Sequence, residues 1–299
     1  MKWRRIRRWS LVILVVLVLA FGAVSWFVSE ALVAPANRPV GPPPGDLSAE
    51  SINIPSDSGS TLAAWFVPCN NSTATIILLH PVRSNRRSMV GRAKLLRDAG
   101  YSTLLVDLQA HGESPGEHIT AGFLERHDVA AAVQFVRSQD PDQKIGIVGC
   151  SLGGAATLLA APLKIDALVL ESVYPTITDA IHDRISMRLG PLHYVLAPAL
   201  LVQLKLRLGI SPSQLRPIDN IATVDCPVLV AAGDLDLHTT LAETKRLYNT
   251  AVEPKQLVIF NGAAHTDLLT HNPVKYRKDV VGFLDACLRQ TIEPSGLQE

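Results

Sequence analysis

Ser151 stands in Gly149-Cys150-Ser151-Leu152-Gly153, between the apolar run that starts at Lys144 and an Ala/Leu-rich stretch. A Gly-x-Ser-x-Gly pattern at a strand-to-helix corner holds the serine on a strained backbone, with its hydroxyl raised above the sheet edge. The glycines are steric necessities, because a Cβ at either place would crowd the neighbouring strand or helix. A serine hydroxyl at neutral pH needs a base within hydrogen-bond reach, and the base needs a carboxylate to fix its tautomer and balance its charge. Two later segments offer these groups just past apolar strands: Gly233-Asp234-Leu235-Asp236 and Asn261-Gly262-Ala263-Ala264-His265. Asp236 is favoured over Asp234 by its spacing from Gly233, and His265 over His271, which lies beside Pro273 at a helix start. The chemistry implied is nucleophilic attack on a carbonyl, with Ser151 as nucleophile, His265 as base and acid, and Asp236 as orienting carboxylate. Cys150 is a weaker nucleophile candidate, expected to point away from His265.

The elements that must position these residues follow from hydrophobic periodicity. Ile52–Ile54 and Leu62–Val67 read as paired strands around a turn-rich Pro55-Ser56-Asp57-Ser58-Gly59. Thr75–His80, Tyr101–Asp107, the run into Ser151, Ala167–Leu170, Pro227–Ala232 and Gln256–Phe260 read as further strands, with helices predicted near 89–99, before Pro141, after Ser151, over 241–248 and over 274–287. Strands alternating with helices predict an α/β fold, a mostly parallel central sheet flanked by helices on both faces. The alternation breaks between Glu171 and Asp225, where two leucine-rich helical pieces, Ile177–Leu189 and Tyr194–Leu208, are separated by prolines. That interval is too long for an ordinary connection. It predicts a small helical cap at about 172–222, inserted after the sixth strand.

The chain resembles the α/β-hydrolase superfamily, and more closely its serine-aminopeptidase (S33)/Bem46-like branch, over roughly Ile52–Leu288. Besides the serine corner, the resemblance rests on Leu78-Leu79-His80, on Asp107-Leu108-Gln109-Ala110-His111-Gly112-Glu113-Ser114, which is similar to the family's D-x-x-x-H-G-x-S loop, and on Gly233-x-x-Asp236 and Gly262-Ala263-Ala264-His265. It implies the α/β-hydrolase fold, the Ser151–His265–Asp236 triad, and an oxyanion hole from the N–H of Leu152 and one N–H after His80. The family's His-Gly is His80-Pro81 in this chain, and proline has no N–H to donate. Val82 is the implied donor and Arg83 the alternative. His80 and His111 are expected to brace loops near the site.

Composition places further bounds. At 47% hydrophobic and 18% charged, 299 residues can bury a large core and are too apolar for disorder. Lys2, Arg4, Arg5, Arg7 and Arg8 precede the uncharged run Leu11–Ser29. Without those five cations, 23 Lys+Arg face 27 Asp+Glu, so the remainder carries −4. A basic tip beside an apolar run is a membrane signal and not a nucleic-acid surface. The run is long enough to cross a bilayer, for which roughly 17–25 residues suffice. With Trp3, Trp9 and Trp26 near its ends, residues 1–30 are expected to be a single-pass anchor or signal segment, leaving the rest outside the cytoplasm. Cleavage after Ala34-Pro35-Ala36 would instead give a secreted or periplasmic protein. Residues 31–50 read as a Pro-rich linker, 51–290 as the hydrolase domain and 291–299 as a tail. Four scattered cysteines indicate neither a metal site nor a readable disulfide pairing, and no cofactor is expected. The cluster Arg83, Arg86, Arg87, Arg92 is expected to be a solvated face.

The function expected is a membrane-anchored, carboxylesterase-like serine hydrolase acting on a small-molecule or acyl ester or thioester, with an amide as a further option. A peptidase would use the same residues and would need acids to hold a free amine, for which Glu171, Asp179 and Asp183 are candidates. A catalytically silent hydrolase-fold binding module is the rival from outside enzymology. Substrate identity and oligomeric state are not legible.

Overall fold

The structure, a computed structural model, describes residues 2–289, so the tail expected over 291–299 lies outside it. Eight strands form one sheet: β1 Glu50–Pro55, β2 Thr61–Val67, β3 Ala74–Leu79, β4 Ser102–Val106, β5 Lys144–Cys150, β6 Ala167–Glu171, β7 Val228–Gly233 and β8 Lys255–Phe260. Their spatial order is β1-β2-β4-β3-β5-β6-β7-β8. The β1–β2 and β2–β4 pairs are antiparallel, and every pair from β4 to β8 is parallel. β3, β5 and β7 are apolar and buried almost throughout because helices cover both faces of a parallel sheet.

One face carries α3 (Glu125–Gln139), α4 (Leu152–Ala160) and α7 (Leu241–Thr250), which contribute Val129, Val133, Ala155, Leu158 and Leu247 to its core. The other carries α2 (Val90–Asp98) and a last helix of Pro273–Tyr276, a π turn Arg277–Val281 and α8 (Gly282–Leu288), with Ala93, Leu96, Val280, Leu284 and Leu288 facing the sheet. Between β6 and β7 lie α5 (Ile177–Leu189) and α6 (His193–Leu208), packed against each other. Helix α1 spans Lys2–Val33 and is long and apolar enough to cross a membrane, a property a signal sequence shares.

Residues 34–48 are laid onto the domain. Ala36–Asn37 pairs in parallel with His111–Gly112. The Val40 and Gly41 N–H groups donate to Glu113 Oε1 at 2.9 and 3.0 Å, and Leu47 is fully buried. This segment therefore touches the D-x-x-x-H-G-x-S loop directly, and Asp107, Gly112 and Ser114 of that loop each have a physical task. Asp107, fully buried, accepts the Arg86 N–H at 2.5 Å and the Glu113 N–H at 2.9 Å. Gly112 has φ +52°, and a Cβ there would fall 2.1 Å from Asp107 Oδ2. Ser114 Oγ donates to the Asp107 carbonyl at 2.7 Å and accepts the Ala63 N–H at 2.9 Å, joining loop to sheet.

Candidate active site

Parallel strands bring their carboxyl ends to one edge, where an open α/β sheet presents its ligand site. β5 delivers Ser151 there, β6 ends at Glu171, β7 leads to Asp236 and β8 to His265. Ser151 has φ 48° and ψ −107°, a left-handed backbone that a non-glycine residue adopts only under strain. The corner is tight enough that a Cβ on Gly149 would lie 2.6 Å from Gly154, and one on Gly153 2.6 Å from the Leu79 carbonyl. The Ser151 hydroxyl is buried and has no hydrogen-bond partner among the described residues.

His265 Nδ1 lies 2.8 Å from Asp236 Oδ2. An ionised carboxylate only accepts, so Nδ1 carries the proton and Nε2 keeps its lone pair. Asp236 Oδ1 accepts the N–H groups of His238 at 2.8 Å and Thr239 at 2.9 Å. Burial works to raise the Asp236 pKa, but the His265 hydrogen bond and these two N–H donors outweigh it and hold the carboxyl below its ordinary value. Asp234 is exposed and takes the Gly262 N–H, while the His271 ring bonds the Asn261 carbonyl. The two competitors are thus occupied elsewhere. Ser151 and His265 line one cavity of about 220 Å³, together with Pro81, Arg92, Glu171 and Asp267.

Leu152 opens α4, and Val82 follows Pro81 in a turn closed by Ser84 N–H donating to the Pro81 carbonyl at 3.2 Å. Arg83, the third residue of that turn, has φ 58°. The N–H groups of Leu152, Val82 and Arg83 donate to no acceptor among the described residues.

His80 holds this loop. Its Nδ1 donates to the Pro81 carbonyl at 2.8 Å, and its Nε2 accepts the Leu108 N–H at 3.1 Å. Complete burial, helped by the neighbouring His111, pushes its pKa down to about 3. Between pH 3 and the ordinary histidine value of 6.5 the unfolded chain takes a proton at His80 that the folded chain refuses. Its contribution to stability is therefore complete above pH 6.5 and shrinks as the pH falls, by up to about 1.4 kcal/mol per pH unit. We expect His80→Asn to be less stable than the parent at pH 7 and to show a shallower loss of Tm between pH 7 and 4.5. A constant offset between the two melting curves would refute this.

Two expectations need correction. Two of the arginines after His80, Arg86 and Arg92, are not on a solvated face, whereas Arg83 and Arg87 are exposed. Arg86 and Arg92 are each 3% exposed. Arg86 is paired with Asp107 and Glu113. Arg87 bonds the Val40 and Pro42 carbonyls, and Arg83 reaches the carbonyls of Leu32 and Ala34. The partners of Arg86 and Arg92 arrive from distant segments of the chain. Cys150, expected to point away from His265, lines the cavity that His265 also lines. Its thiol donates to Glu171 Oε2 at 3.4 Å, and burial, with Glu171 beside it, pushes its pKa well up, which suits an inert thiol and not a nucleophile.

Sequence reasoning missed the arrangement behind the serine. Arg92 forks onto Glu171, Nε to Oε1 at 3.1 Å and Nη2 to Oε2 at 2.5 Å, while Nη1 holds Asp267 at 2.7 Å. Tyr276 donates to Glu171 Oε1 at 2.5 Å. Glu171 is also register partner to Cys150, and its carbonyl accepts the Ser151 N–H at 2.8 Å. One guanidinium thus ties the strand beside Ser151 to the loop that carries His265. The His238 ring, also missed, stacks on His265 with centroids 4.9 Å apart.

The likeness to known proteins agrees with this fold. A family model described as serine aminopeptidase, S33, matches residues 70–217. Among curated relatives, the uncharacterized protein Rv2307c of Mycobacterium tuberculosis is 30% identical over 279 residues, covering 89% of this chain and 91% of that one. The uncharacterized protein YqkD of Bacillus subtilis is 28% identical over 237 residues, 78% of each chain. Of solved structures, the Pyrococcus furiosus esterase Pf2001 superposes with a TM-score of 0.71 at 21% identity, covering 86% of this chain and 98% of that one, a likeness of fold. With the sheet order, the strained serine corner and these matches together, the chain belongs to the α/β-hydrolase superfamily.

Proposed function

We propose that this protein is a membrane-anchored serine hydrolase that cleaves a carboxylic ester or thioester through an acyl-enzyme, with Ser151, His265 and Asp236 as its triad. The observation that carries the reading is the 2.8 Å His265–Asp236 contact beside a cavity that Ser151 also lines. In the reaction His265 Nε2 takes the Ser151 hydroxyl proton as Oγ attacks the carbonyl carbon. The negative oxygen is received by the Leu152 N–H and by that of Val82, or of Arg83 in its place, and loss of one such donor costs on the order of 10²–10³ in turnover. His265 returns the proton to the leaving alcohol or thiol, then activates the water that frees the acid. Helices α5 and α6 form a cap over residues 172–222, and α1 is the anchor that leaves the catalytic domain outside the cytoplasm.

Two of the three acids considered for a free amine are already engaged, which supports ester over peptide. Glu171, the last residue of β6 and not part of the cap, is bound to Arg92 and Tyr276. Asp179 pairs with Thr176 and Arg246. Burial and the neighbouring Glu243 push Asp183 up to about 7, so it is partly neutral. The test is turnover of p-nitrophenyl esters against aminoacyl anilides, with fluorophosphonate labelling of the parent and of Ser151→Ala. Ester turnover with label on Ser151 is expected. Turnover of anilides alone would make the protein a peptidase, and an unlabelled Ser151 would make it a silent binding module. An alkaline carbonate wash that released the intact chain would refute the anchor.

A further inference from the structure

Helix α6 is apolar on two opposite faces, and the chain covers one of them. Ala197, Leu200 and Leu204 are buried, and α6 packs against α5 and α1. Val195, Val202 and Leu206, spaced to fall on the other face, are 61%, 57% and 68% exposed, and Leu192 and Tyr194 beside them are exposed as well. A helix that is apolar all round is stable when its second face also meets an apolar medium.

The position of α6 against α1 says what that medium is. Ser25, Ser29 and Val33, four residues apart and so on one face of α1, are buried, and α6 packs against α1. Arg207 of α6 pairs with Glu30, donates to the Trp26 carbonyl, and stacks 3.7 Å from the centre of the Trp26 ring. The uncharged run Leu11–Ser29 rises about 28 Å as a helix, close to the hydrocarbon thickness of about 30 Å. If α1 spans a bilayer, its far boundary falls at Ser29–Glu30. The residues that α6 packs against, from Ser25 onward, are then the last turns of the span. Helix α6 accordingly sits at the depth of the headgroups and the first acyl carbons. Charge agrees: residues 177–208 hold Arg184, Arg188, Lys205 and Arg207 against Asp179 and Asp183, a balance of +2 in a chain that carries −4 beyond its tenth residue. A basic helical pair with an exposed apolar stripe suits a leaflet containing anionic lipid.

We propose that the α5–α6 hairpin rests in the surface of the lipid bilayer through Val195, Val202 and Leu206, beside the α1 span. This rests on the reading of α1 as a membrane anchor. The test uses the full chain in phosphatidylcholine vesicles with phosphatidylglycerol and a phospholipid carrying a diazirine near the glycerol end of its acyl chain, with adducts mapped by mass spectrometry. Adducts are expected both on 11–29 and on α6 at 195, 202 and 206. Adducts on 11–29 alone would overturn the docking and leave the anchor standing, whereas adducts on neither would overturn both. A crosslink at these α6 positions to a second copy of the chain, in place of lipid, would also overturn it. In the variant Val195→Glu/Val202→Glu/Leu206→Glu, the α6 adducts should vanish and those on 11–29 persist. Its turnover of a soluble p-nitrophenyl ester should match the parent's, showing that it folds. α6 adducts persisting in that folded variant would refute the apolar contact.

Discussion

Ser151→Ala should abolish ester turnover, by on the order of 10⁴–10⁶-fold, while leaving the protein as stable as before or more so. The two halves of this expectation have separate causes. Turnover falls because the only atom that can form the acyl bond in the proposed mechanism is gone. Stability is kept because that same hydroxyl is buried without a partner, and an unsatisfied buried polar group costs about 1–3 kcal/mol. Alanine meets the same left-handed backbone as serine, so it neither adds nor relieves strain there. Initial rates on p-nitrophenyl acetate and a denaturant melt of the same preparation check both halves. Asp236→Asn should lose turnover without additivity, because once Ser151 is absent a second triad change has little left to remove. A variant of Ser151 that kept a tenth of the parental rate would put the chemistry elsewhere.

Arg92→Met should be the most damaging change to stability outside the apolar core, costing about 3–5 kcal/mol, because it strands a buried carboxylate. Glu171 is 3% exposed and faces Arg92 through two hydrogen bonds. With the cation removed, only Tyr276 and the Cys150 thiol remain, among the described residues, as donors to its side-chain oxygens. The double variant Arg92→Met/Glu171→Met should recover part of the loss, since a pair replaced together leaves no unpaired charge behind. A urea titration of parent, both single variants and the double variant closes the cycle. Equal, additive losses would mean the pair is uncoupled. Because Asp267 shares Arg92 and lies two residues past His265, the single variant should also lose turnover at temperatures where it is still folded.

The strands of the mostly parallel sheet and the corner at Ser151 were legible because local signals state them: unbroken apolar runs for strands buried on both faces, Gly149 and Gly153 for a turn with no room for a Cβ. Asp236 was separable from Asp234 by spacing alone, and the structure gives Asp236 to the imidazole and Asp234 to the Gly262 N–H. What failed was the reading of charge. Arg86 and Arg92 look like any loop arginines, and nothing near them in the chain betrays burial. Arg92 finds one partner 79 positions away and another 175 positions away. Such pairs are set by topology, and a single sequence carries no local trace of them. Cys150 was misjudged for a related reason: the cavity it lines together with His265 exists only after folding.

The short strand at Ala36–Asn37 reaches beyond the architecture. The Val33 carbonyl accepts the Ile119 N–H at 2.7 Å, the Ala36 N–H donates to the Ala110 carbonyl at 2.8 Å, and the Arg38 N–H donates to the Gly112 carbonyl at 2.8 Å. A protease or an engineer seeking a water-soluble enzyme would find two very different places to cut. Severing ahead of Val33 keeps that short strand but removes Glu30, the partner of Arg207. Severing at the first strand of the sheet instead strips the belt that buckles around the histidine-glycine loop, and a chain so trimmed would have to hold its reaction centre without it.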